Sequence, residues 1–128
     1  SKDRLKSILF GNFVPDIYGD PWGGGISKGN LIVGNLTVLT HLIGTKHLPN
    51  FQESILIIED IGEAPYRIDR MLTHLRLAGV LQQLSGLGFG SFRYCEEEKD
   101  VDKTKTFDLV DIFSNRITNY FPAIQRNC

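Results

Sequence analysis

The chain is poor in the features that mark several protein classes. It has two cysteines in 128 residues, Cys95 and Cys128. One falls in an expected loop and the other at the very end, so free thiols in a reducing compartment are expected rather than a disulfide framework. No apolar run reaches the ~20 residues that span a bilayer, and Ser1-Lys2-Asp3-Arg4 does not open an apolar secretory leader. A large excess of one charge is missing too. With 14 Lys and Arg against 15 Asp and Glu, the net charge is -1, so no broad basic field for nucleic acid or anionic lipid is expected. The expectation is a cytoplasmic protein without membrane or nucleic-acid partners. Histidine is scarce: His41, His47 and His74 form no His-x-x-x-His or His/Cys pair. No metal site and no cofactor are therefore expected, and each histidine reads as structural or solvent-facing. The sequon Asn35-Leu36-Thr37 lies inside an apolar stretch and reads as unused.

What is present is an ordinary globular composition, 41% hydrophobic and 23% charged, enough for one domain with a core. Short β-like runs alternate with amphipathic helical ones, the pattern of an α/β domain. The first strand is expected at residues 5–10. Residues 15–29, with Gly23-Gly24-Gly25, read as a flexible loop. A short strand at 31–33 leads to Asn35, which can cap a helix carrying Leu36, Leu39 and Ile43, with Gly44 as its stop. Residues 54–59 hold four consecutive apolar residues running into two carboxylates, which suits a central strand covered on both faces. Pro65 tolerates a first helical turn, and Ile68, Met71, Leu72, Leu75 and Ala78 draw one apolar stripe before Gly79. A glycine-interrupted strand at 84–89, a charged loop at 96–105 and a final helix from Thr106 to Pro122 follow. Another strand is expected to begin at Ala123.

Three constellations invite a chemical reading. Gly25-Ile26-Ser27-Lys28-Gly29 satisfies Gly-x-Ser-x-Gly, but a nucleophile elbow needs a buried strand before the serine and a helix after it. Pro21-Trp22-Gly23-Gly24 precedes it and a strand follows, so a surface loop is the better reading. Gly86-Leu87-Gly88-Phe89-Gly90 lacks the helix N-terminus that a phosphate cradle requires, and close backbone packing explains its glycines. Glu59, Asp60 and Glu63 remain. Acids at the carboxyl end of a buried strand stand where α/β folds hold their ligands. For Asp60 and Glu63 the simpler reading is a favourable charge at the N-terminus of the helix that follows; for Glu59 residue chemistry leaves the question open, leaning to a structural role.

The stretch Ile57-Ile58-Glu59-Asp60-Ile61-Gly62-Glu63-Ala64-Pro65-Tyr66-Arg67-Ile68-Asp69-Arg70-Met71-Leu72, together with Gly34-Asn35-Leu36-Thr37-Val38-Leu39-Thr40-His41-Leu42-Ile43-Gly44-Thr45, closely resembles the C-terminal domain of LD-carboxypeptidases, the muramoyl-tetrapeptide and microcin-immunity group. The likeness continues through Leu75-Arg76-Leu77-Ala78-Gly79 and from Gly86 to Phe92, and so covers most of the chain from about Gly29 onward. It implies a swivelling β/β/α-type C-terminal domain over residues 1–128, cut short near its end. In that family a serine from an N-terminal Rossmann-like domain, a histidine and a glutamate form a triad that releases the terminal D-alanine of murein tetrapeptide. Related members hydrolyse a peptide-nucleotide antibiotic. The family glutamate falls on Glu59, implying that it orients and stabilises the imidazole.

The departures set further expectations. The nucleophile domain is absent from the chain, and the family histidine would follow the strand that begins near Ala123, beyond Cys128. The chain by itself is thus expected to be inactive, with the missing N-terminal domain and a murein or related peptide as its partners. The oligomeric state is left open, a homodimer included. A non-catalytic binding or scaffold module is the competing function. Metal binding through Glu59, Asp60 and Glu63 ranks lower, because the loop does not guarantee convergent ligands.

Overall fold

A computed structural model of the chain describes residues 20–21, 26–95, 112 and 124–126. The expected strand at 5–10, the charged loop at 96–105 and the final helix apart from Ile112 lie outside the described residues.

The elements in chain order are β1 (Asp20–Pro21), β2 (Asn30–Asn35), α1 (Leu36–Leu42), β3 (Ser54–Ile61), α2 (Pro65–Leu77), α3 (Val80–Gln83), β4 (Gly86–Arg93) and β5 (Ile124–Arg126). They build one five-stranded sheet in the order β1-β5-β4-β3-β2. Strands β2 to β5 run parallel, and β1 joins β5 antiparallel. The α/β class is as expected from the alternating pattern. One correction concerns residues 15–29, read as a flexible loop: Asp20 and Pro21 pair with Arg126 and Gln125.

The parallel order explains where the core sits. Moving from β2 to β3 to β4 by right-handed crossovers in one direction puts every crossover helix on the same face of the sheet. On that face Leu56, Ile58, Leu87 and Phe89 meet Leu36, Leu39, Ile68, Leu72 and Leu75 in one buried cluster, which Phe51, Leu81 and the helical Ile112 also join. Most of the stripe predicted for α2 is buried: Ile68, Leu72 and Leu75 are fully enclosed and Met71 packs at the margin, whereas Ala78 is the exposed C-cap. Asn35 caps α1, its Oδ1 accepting from the Val38 N–H at 3.0 Å. Gly79, at φ 78, follows the Ala78 C-cap of α2 in the left-handed region that a glycine enters at little cost.

Strand β3 is central, as expected, but it is not equally covered on both sides. Its burial alternates, with Leu56, Ile58 and Asp60 enclosed and Ile55, Ile57 and Glu59 half-buried. Leu31 and Val33 of β2 and Ile61 of β3 are exposed. A continuous apolar run hides this alternation, because the sequence reads the same whether one face or two are dry.

Candidate functional site

Strands β2, β3 and β4 end together at one edge of the sheet, where Asn35 stands in register with Glu59. The three acids read from the sequence gather there, but their surroundings separate them.

Asp60 is buried, at 3% exposure. Its Oδ2 accepts from the Thr37 N–H at 2.9 Å and the Thr37 hydroxyl at 2.7 Å. Its Oδ1 accepts from Asn35 Nδ2 at 3.1 Å and from the Ile61 N–H at 2.8 Å. All four groups are donors, and an ionised carboxylate has acceptor sites for four. Asp60 was expected at the N-terminus of the helix that follows it; the structure turns it instead to α1, the helix before, where Thr37 is the second residue. Strand pairing is the reason, since β2 lies beside β3 and α1 starts at the end of β2. Glu63 does serve α2, through an ion pair with Arg67 at 3.6 Å, and its Oε1 lies 3.4 Å from the Thr37 hydroxyl.

Glu59 differs from both. It is half-buried, and among the described residues no donor and no cation reaches its carboxylate. Strand alternation sends its side chain to the face opposite Asp60, so Glu59 and Asp60 do not converge on one cation. Beside it lies Gly90: a Cβ added there would sit 3.5 Å from the Glu59 Cβ. The β3–β4 register slips at this point, from Ile58 opposite Phe89 to Asp60 opposite Phe92. Two steps on β3 match three on β4, a β-bulge that leaves Gly90 and Ser91 facing Glu59. The extra residue also returns Phe92 to the helical face, where its ring centroid lies 6.1 Å from that of Phe89. Neither the bulge nor the Asp60 bonds to Asn35 and Thr37 had a sequence signal beyond the spacing of Gly90 and the two phenylalanines.

Ser27 stands elsewhere. Its hydroxyl donates to the Ser85 carbonyl at 2.6 Å, and its side chain lies over Gly86. Gly86 pairs with Ile55 at the opposite end of β3 from Glu59, about 13 Å away at ~3.3 Å per residue. Ser27 and Glu59 therefore stand at opposite ends of β3. His41 and His74 are exposed and share a groove of about 620 Å³ between α1 and α2 with Arg67, Arg70 and Leu77. The Nδ1–H of His41 donates to the Thr37 carbonyl at 2.7 Å, within its own helix. This groove is on the helical side of the sheet, away from the face to which Glu59 projects. Cys95 is buried at the end of the turn after β4, and its Sγ–H donates to the Arg93 carbonyl at 3.3 Å. Burial first, and the nearby Asp60 and Glu63 charges as well, push its thiol pKa up.

The architecture is therefore that of an α/β domain with a carboxylate that no described residue pairs, at the carboxyl end of its central parallel strand, where this class of sheet forms its crevice. Residues 28–126 match the LD-carboxypeptidase C-terminal domain, and the chain belongs to that family. It is 46% identical over 94 residues to a Synechocystis sp. protein bearing a carboxypeptidase name, covering 73% of this chain and 31% of that protein. It is 40% identical over 75 residues to the murein tetrapeptide carboxypeptidase of Pseudomonas aeruginosa, covering 56% and 24%. The fold is shared with the muramoyltetrapeptide carboxypeptidase of Oxalobacter formigenes, at TM-score 0.67 and 29% identity over 84% of this chain and 38% of that one. The microcin immunity protein MccF bound to glutamyl sulfamoyl guanosine superposes at TM-score 0.69 with 20% identity, over 85% and 31%. The chain spans about a third of the length of the relatives it matches. Among the described residues, no helix is long and apolar enough to cross a membrane.

Proposed function

We propose that this chain is the part of a cytoplasmic serine-type LD-carboxypeptidase that supplies the triad carboxylate, Glu59, to a nucleophile and an imidazole held elsewhere in the full-length protein. The observation that carries the reading is the contrast between neighbours. Asp60 is saturated with donors and Glu63 is paired, whereas among the described residues no donor reaches Glu59 at the strand end. A triad carboxylate needs to accept one ring N–H and to stabilise the imidazolium that forms when the histidine takes the serine proton. Serine attack on the carbonyl of the L,D bond then yields an acyl-enzyme, D-alanine leaves with the proton returned by the imidazole, and water completes the cycle.

Murein tetrapeptide is favoured as substrate over a peptide-nucleotide. Relatives with murein names reach 36% and 40% identity, while the MccF likeness at 20% speaks for the fold alone. The reading places the protein in the turnover of wall peptides. The test is a mass-spectrometric assay of the full-length protein with murein tetrapeptide and, separately, an aminoacyl nucleotide conjugate. Release of D-alanine from the first is expected. Turnover of the conjugate alone would select the second substrate class, and turnover of neither would favour a binding module.

A further inference from the structure

We propose that Asp60 is the positioning residue for Glu59, holding the strand end that carries it through a four-bond clamp on β2 and α1; the inference rests on the reading of Glu59 above. A strand end in a parallel sheet is ordinarily fixed by ladder bonds on both sides. At Glu59 the β4 side is irregular, because the bulge passes from the Ile58/Phe89 pair to the Asp60/Phe92 pair without a one-to-one partner between them. On the β2 side Asn35 is the last residue in register, so beyond Glu59 the strand is held by β4 alone among backbone partners, through the Asp60/Phe92 and Ile61/Arg93 pairs and the Gly62 N–H donating to the Arg93 carbonyl at 2.9 Å. The backbone at Glu59 is thus bordered by a bulge on one side and by a strand end on the other.

Asp60 compensates for that interruption. One carboxylate ties Asn35 at the end of β2, both the N–H and the hydroxyl of Thr37 in the first turn of α1, and the Ile61 N–H on its own strand. Three segments are joined at an atom group one residue from Glu59, on the buried face, while Glu59 itself projects from the other. The clamp also occupies the acceptor sites of Asp60, so that it does not compete with Glu59 for a ring N–H. Replacement by asparagine would substitute an NH2 for one oxygen and set donor against donor. The loss would be felt at Glu59 as displacement, and an orienting group moved by about 1 Å can cost roughly a hundredfold in rate.

The experiment uses the full-length enzyme and murein tetrapeptide, with kcat and KM measured where circular dichroism shows each variant fully folded. Asp60→Asn is expected to lower kcat about 10- to 100-fold with KM changed by less than about threefold. Thr37→Val, which removes one clamp bond, should lower kcat by a smaller factor, and Thr37→Ser, which keeps both, should restore it. Leu72→Ala serves as the comparison for general loosening: it should lower the melting temperature and leave kcat near wild type. Wild-type kcat in Asp60→Asn, or an equal fall in Leu72→Ala, would overturn the positioning role. If Asp60→Asn fails to fold, the Thr37 pair decides, and equal kcat in its two members counts against the inference. Glu59→Gln separates the two levels. Full activity there removes the reading of Glu59 itself, whereas its inactivation beside a fully active Asp60→Asn removes the clamp alone.

Discussion

Side-chain type did not distinguish the three acids at the end of β3, and their environments do. By residue chemistry Asp60 and Glu63 read as charges at a helix start, and Glu59 is left open. What separates them is burial parity along one strand: the even positions of β3 face the helices and the odd ones do not. Asp60 therefore meets Thr37 and Asn35, residues 23 and 25 positions away in sequence, a juxtaposition created by β2–β3 pairing that no local pattern announces. Cys95 gives a prediction at this scale. Its thiol pKa is raised from 9.0 in the folded chain. The folded state thus holds a proton that the unfolded state has lost once the pH passes the ordinary thiol value, so stability falls as pH rises above about 9. Urea unfolding of wild type and Cys95→Ala at pH 7 and pH 10 should show the wild type losing more stability across that interval. An identical pH dependence in both would contradict the assignment.

At the scale of elements, sequence periodicity was most informative where an element is long and half-buried. The stripe Ile68, Met71, Leu72, Leu75 located α2, and Asn35 with Gly44 bracketed α1, because caps and apolar spacing are local properties. Helix α3 has no counterpart in the sequence reading, because four residues carry too little periodicity to mark a helix between Gly79 and the strand that follows. Strand β4 runs from Gly86 to Arg93 rather than over 84–89, since the bulge at Gly90 and Ser91 breaks the alternation a reader would follow. Two stability predictions belong here. Leu72→Ala, at a site with no exposure in the helix–sheet core, should cost about 2–5 kcal/mol in chemical denaturation. Gly79→Ala should cost about 1–2 kcal/mol, because the left-handed conformation after α2 penalises a Cβ although open space surrounds it. A negligible effect at Gly79 would mean that the turn relaxes to another conformation.

At the scale of the molecule, the parallel order β5-β4-β3-β2 explains why the core among the described residues lies on one face of the sheet, and the position of Glu59. Crossovers in one direction stack the helices on a single face, and the other face presents Glu59 beside Gly90, with Val33 and Ile61 exposed nearby. The class of fold was legible from the alternation of elements. The family was legible from the two blocks around Asn35 and Glu59, and the match over residues 28–126 bears it out. The site was legible only in part. A residue's place at a strand end follows from local pattern, but its freedom from partners depends on which strands lie alongside. The chain spans about a third of the length of the relatives it matches, so the proposed role of Glu59 is to be tested in the full-length protein.

The most direct measurement of that contribution is the turnover of murein tetrapeptide by the full-length protein carrying Glu59→Gln, with folding verified by circular dichroism. The substitution keeps size and shape but removes the charge that would stabilise an imidazolium. The account predicts a fall in kcat of roughly 10³- to 10⁴-fold, on the scale of triad carboxylate losses. Wild-type turnover in a folded Glu59→Gln protein would contradict it.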